Sequence, residues 1–224
     1  MRRLHRLVVT VAAVALLLAS VTPVGAARAE DYARVIRSRH AGATFVQVDG
    51  CRQVEVFVSA MDAKFGSRPG PVNKQGLVGV FYRELDICSG PGPRFPVVFS
   101  ADAQSLDRLV TSPRFGTASI DVTLAGTDGD GNPVAIDLTV DWTAATTFER
   151  SRISGNDWFP AGQKRGAHVH TWSHGLRADA QAHGSITVGD RHVELESTTE
   201  ATLEQIRYFC QVLQHPKGGF DVDC

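Results

Sequence analysis

Residues 117–143 read TASIDVTLAGTDGDGNPVAIDLTVDWT, and their pattern decides the fold. Ala118, Ile120, Val122 and Leu124 alternate with polar residues up to the turn-rich Asp128-Gly129-Asp130-Gly131-Asn132. Val134, Ile136, Leu138 and Val140 then alternate again and end at Trp142. A period of two puts successive side chains on opposite faces of an extended strand. Gly, Asp and Asn supply the left-handed and self-bonding conformations that a tight reversal needs. The segment therefore reads as a β-hairpin with one buried face.

The same signal spreads in both directions from this hairpin. Val46 and Val48 alternate with Phe45, Gln47 and Asp49, and Val54, Val56 and Val58 alternate with Glu55 and Phe57. Breaks rich in Pro and Gly, at 67–76 and 89–96, bracket a further strand over 77–87. Residues 101–111 suit a short helix capped by Ser100 about as well as a strand. Residues 151–166 read as a long loop carrying Trp158 and Phe159. Beyond it the pattern predicts strands over 167–173 and 177–188, joined by a turn near 175–178, then 192–197 and 203–212. The last run also matches helical spacing. No long amphipathic helix separates the strands, which removes the alternating layout of a parallel sheet. The expected fold is all-β: a single antiparallel β-sandwich, with a barrel as the alternative and at most one or two short helices.

The order of three segments, TASIDVTL, VAIDLTVDWT and RADAQAHGSITV, with a polar turn and an Arg-containing loop between them, resembles a layout found among secreted all-β proteins of actinobacteria. That resemblance implies the fold and export, and it implies no activity.

The N-terminus reads as an export signal over residues 1–29. Arg2, Arg3 and Arg6 precede an apolar run from Leu7 to about Val24, and Ala27 and Ala29 stand in A-x-A spacing before Glu30. A membrane anchor is the competing reading, since the run approaches spanning length. Ser20, Thr22, Pro23 and Gly25 soften its end, and no basic stop-transfer cluster follows. The expected mature chain is one secreted domain, residues 30–224, with no membrane span after cleavage. The chain holds 23 basic and 24 acidic residues; without Arg2, Arg3, Arg6 and Arg28 the balance is 19 against 24, a net charge near −5. Such a balance argues against nucleic acid or an anionic membrane as the main partner. An envelope or extracellular ligand is the partner class that remains.

Four cysteines fit an oxidising compartment. Cys51 opens one strand-like run and Cys88 closes another, so antiparallel pairing of the two brings Cys51 to Cys88 and leaves Cys210 for Cys224. No cysteine stands in C-x-x-C spacing, which weakens the alternative of a zinc site.

Residues 167–174, AHVHTWSH, carry the sharpest chemical signal. On a strand His168, His170 and His174 share a face, and a hairpin turning near 175–178 sets His183 opposite His170. Imidazoles gathered in that way suit zinc or copper. The bland alternative is a solvated histidine face, with no cofactor. The string Thr171-Trp172-Ser173-His174-Gly175 resembles a hydrolase nucleophile elbow, but that elbow needs a helix after it, and 177–188 alternates like a strand. Asp128, Asp130 and Asn132 occupy the first ligand positions of a calcium loop, while Pro133 and Thr139 stand where Gly and Glu are required. Glu194 and Glu196 share a strand face with His192, as an exposed strand often arranges them. Trp158 and Phe159 are the candidate partner contacts. No catalytic residue is assigned. The expected role is a non-catalytic extracytoplasmic binding or envelope-associated module, with a metal-binding protein and a secreted hydrolase as successive alternatives.

Overall fold

Alternation of buried and exposed side chains runs through the computed structural model, which describes residues 33–68, 72–89, 95–159, 167–196 and 200–214. These residues form strands β1 (Ala33–Asp49), β2 (Arg52–Arg68), β3 (Val72–Asp86), β4 (Val97–Ser105), β5 (Val110–Thr111), β6 (Thr117–Asp128), β7 (Pro133–Ala144), β8 (Glu149–Phe159), β9 (Ala167–Val188), β10 (Arg191–Leu195) and β11 (Glu200–Gln214). Among the described residues there is no helix. All pairings are antiparallel.

The β6–β7 hairpin forms where the sequence places it, with Thr127 opposite Pro133 and Ala118 opposite Trp142. Gly131 takes a φ of 85° at the turn, and Asp128 Oδ1 accepts hydrogen bonds from the backbone N–H groups of Asp130 and Asn132. From this hairpin the sheet closes on itself. β1, β2, β3 and β4 are successive neighbours; β4 then passes to β6, β6 to β7, β7 to β9, β9 to β11, and β11 back to β1. The all-β antiparallel class is as expected, and the ring-like closure fits both the expected sandwich and its barrel alternative; the ring is called a barrel below.

Side chains fill the lumen, as expected for a barrel of this size. Phe45, Val56, Val58, Tyr82, Leu124, Ile136, Leu138 and Ile186 are all buried. Trp142 is fully buried, and its indole N–H crosses the lumen from β7 to donate to the Gly42 carbonyl on β1 at 3.2 Å. A plug covers one end. In the β4–β6 connection Leu109 and Phe115 are buried, and the Phe115 ring packs 5.9 Å from that of Phe148. The plug lies directly on β3, because a Cβ at Gly76 would run into the Asp107 carbonyl. Arg39 of β1 clamps it, donating to Thr111 Oγ1 at 2.5 Å and to the Ser112 and Pro113 carbonyls at 3.4 Å, with its guanidinium 5.3 Å from the Phe115 ring centre.

At the other end Glu84 is buried under two arginines. It accepts from the Tyr82 hydroxyl at 2.6 Å and from Arg52, and Arg191 Nε lies 3.4 Å away. Burial first, and the bond to Glu84 second, push the Tyr82 phenol well above its usual range. The Cys51–Cys88 disulfide lies at this end, where the start of β2 meets the end of β3 at Arg52 and Asp86, as the sequence predicts. Cys210 is also disulfide-bonded, and Cys224 lies outside the described residues.

Several local expectations are corrected. Residues 101–111, open between helix and strand in the sequence, are strand to Ser105 and again at Val110–Thr111, while 203–212 lie in strand β11 as expected. Most of the expected 151–166 loop is strand β8, whose run Arg150–Ser154 is exposed on both faces and so lacks the alternation that marks a strand. The turn near 175–178 is absent: β9 runs unbroken for 22 residues. Its length gives it two neighbours along each edge. β8 and then β7 pair with one edge, and β11 and then β10 with the other. The N-terminal half of β9 therefore projects past the plugged end. Together with β8 and parts of β11, β1, β2 and β3 it forms a six-stranded extension.

Candidate functional site

The unbroken β9 disperses the expected histidine cluster. His170 and His183 lie 13 positions apart on one strand and on opposite faces, because their separation is odd. At about 3.3 Å per residue that is roughly 43 Å, so the two cannot share a metal ion. His170 is half-buried, while His183 is exposed opposite Asp141 of β7. His168 lies opposite Trp158 of β8, and the side chains of His168, Trp158 and Phe159 lie outside the described ones. Among the described residues no three of His, Cys, Asp or Glu gather as a metal ion requires. Ser173 sits mid-strand, with neither the turn nor the helix of a nucleophile elbow. The Asp128 carboxylate caps its own turn, and hydrogen bonds, chiefly from the Asn132 backbone N–H, hold it below the usual range. His192 sits between Thr187 Oγ1 and Glu194 Oε1, at 2.9 and 3.0 Å.

The extension holds what sequence reading missed. Counting in twos from lumen-facing Ala41, Ala43 and Phe45 puts Arg39 and Arg37 on the same face of β1, with no bulge between. The same count puts Asp62 and Lys64 of β2 on that face. Lys74 of β3, Arg207 of β11, His174 of β9 and Arg152 of β8 follow through the pairing. Arg152 is opposite His174, His174 opposite Arg207, Arg207 opposite Arg37, Arg37 opposite Lys64, and Lys64 opposite Lys74. Six neighbouring strands thus present six basic side chains in one transverse row. At about 4.8 Å between strands the row spans roughly 24 Å.

Arg37, Lys64, Lys74, Arg152 and Arg207 are exposed, whereas Ile36, Ser38 and Ala63 on the other face are buried. The basic face is the solvated one. Among the described residues Arg37, Lys64, Lys74 and Arg152 make no ion pair. The acidic side chain nearest the row on this face, Asp62, is engaged by Arg108 at 2.6 Å. Arg150 and Arg39 stand one step along the strands on the barrel side. On the outer side stand Trp172 and Phe209, directly opposite each other. The Arg207 guanidinium lies 5.7 Å from the Trp172 ring centre, and the His174 ring 5.9 Å from it. Like charges set directly opposite one another destabilise a sheet, so packing gives no reason for the row. Its chemistry is that of an extended anion receptor, in which each cation can form a charge-assisted hydrogen bond with a carboxylate or phosphate oxygen. No one-dimensional signal marks it, because the six residues come from six different strands.

Fold and site together define a closed antiparallel β-barrel that carries a basic, partly aromatic sheet extension. No family model matches the chain, and no curated protein matches it. A solved structure of an acetoacetate decarboxylase-like enzyme from Sphingomonas wittichii RW1 aligns with 88% of this chain and 98% of its own, at 10% identity and a TM-score of 0.24. A superposition that loose carries no argument about fold or chemistry.

Proposed function

We propose that the protein is an exported, non-catalytic binding module whose ligand is anionic and is held on the basic row of the extension. The row carries the reading: solvent-facing cations that make no ion pair among the described residues have been gathered against their mutual repulsion in a chain whose mature charge is net negative. The Cys51–Cys88 bridge and the second oxidised cysteine, Cys210, support export into an oxidising compartment.

The test uses the contradiction between local and global charge. At pH 7.5 the purified protein is expected to bind a sulfonated polyanion matrix and to elute with moderate salt, because few charges are engaged. The triple variant Arg37→Gln/Lys64→Gln/Arg207→Gln is expected to flow through. Flow-through of the unaltered protein, or equal retention of both, would overturn the reading.

A further inference from the structure

We infer that the anion is a linear acidic polysaccharide carrying a carboxylate on successive sugars, laid across the strands along the row; this rests on the anion-binding reading above. Three observations select it. First, the row is a single file of basic side chains about 4.8 Å apart, a step close to that between successive rings of a sugar chain. A small anion would engage two or three of these cations and leave the rest repelling one another.

Second, the row lies on the face that continues the barrel lumen. A sheet that closes into a barrel curves toward that face, and strand twist turns each step of the row by about 20°. A slender, flexible chain can follow such a concave path. A planar bilayer cannot touch all six basic side chains, and duplex DNA presents two strands of phosphates where the row offers one line.

Third, Trp172 and Phe209 border the row and are only half-buried. The apolar face of a sugar ring can rest on Trp172 while its carboxylate reaches Arg207, whose guanidinium already lies over that indole. Single-stranded nucleic acid calls for stacking platforms repeated base by base along a groove. Here the aromatic pair flanks only the second and third places of the row, His174 and Arg207, and the remaining flank is Ser154, Val35, Gly66 and Val72.

The experiment measures calorimetric affinity of the purified protein for polygalacturonate, for its methyl-esterified neutral form, for galacturonate oligomers of two, four and six sugars, for a single-stranded DNA oligonucleotide, and for vesicles rich in phosphatidylglycerol. Binding is expected for polygalacturonate, with a sharp gain between four and six sugars, loss on esterification, and at least tenfold weaker affinity for DNA and vesicles. Trp172→Ala is expected to weaken glycan binding about tenfold without changing its salt dependence. Trp172→Phe is expected to restore most of it, which separates a stacking role from a folding one. DNA or vesicles binding as tightly as the glycan, or indifference to both length and Trp172, would overturn the glycan while leaving an anion receptor. Binding to none of the polyanions would overturn both.

Discussion

Arg37 faces Arg207 on one side and Lys64 on the other, so it bears two cross-strand repulsions, and among the described residues it makes no ion pair. Arg37→Gln should therefore raise stability by about half a kcal/mol at low ionic strength. The gain should fade as salt shortens the screening length to about 3 Å near 1 M; urea melts at two salt concentrations read both values. A loss of stability instead would mean that the row contributes to the fold. His40 provides a titration with a definite sign. Burial pulls its imidazole down to about 4, and its Nε2 lies 2.8 Å from Ser38 Oγ. The folded state thus binds fewer protons than the unfolded chain between pH 6.5 and about 4. Stability should be full above pH 6.5 and fall as pH drops through that window, by up to about 3 kcal/mol. Glu204, directly opposite His40, acts the other way: burial raises its carboxyl, with Arg177 partly countering, so its contribution is lost as pH rises through 4.5. Melts from pH 4 to 8 should show His40→Gln flattening the acid side and Glu204→Gln stabilising the neutral side. An unchanged acid slope in His40→Gln would remove the histidine from the account.

At the scale of elements, the plug depends on a missing side chain. Gly76→Ala forces its new methyl against the Asp107 carbonyl, which must shift and draw Leu109 and Phe115 with it. The expected cost is about 2–3 kcal/mol, read by thermal melts, together with faster hydrogen exchange confined to the β4–β6 connection. The sequence was most legible where one face is buried and the other wet. The 117–143 hairpin, the β2 and β3 runs and the Cys51–Cys88 pairing all follow from alternation and strand order. β8 escaped because Arg150, Ser151, Arg152, Ile153 and Ser154 are solvated on both sides, leaving no period to read. β9 escaped because His174-Gly175 resembles a turn; here Gly175 stays in strand, buried, with Ser151 of β8 where a Cβ would project. That single misreading folded an imagined histidine cluster around a reversal that does not exist. The basic row lay beyond any linear reading, since register across six strands, not spacing along one, assembles it.

For the whole molecule, the Cys51–Cys88 bridge spans 37 residues, and on the chain-entropy model such a loop contributes roughly 4 kcal/mol. A Cys51→Ala/Cys88→Ala pair should lower the denaturation midpoint accordingly without altering retention on the polyanion, because that bridge and the row lie at opposite ends of the barrel. Coupled loss of both would show that the extension is not independently held. The order of strands around the ring has a temporal consequence. β1 is joined to β11, and β9 to β7 and β11, so the ring cannot shut until the last quarter of the chain has arrived. During synthesis, β1 to β7 must wait as an open sheet with two bare edges. Such edges invite pairing with other chains, and contacts this distant in sequence form slowly. A product that stops before β9 would keep those edges for good and stay open to pairing with other chains.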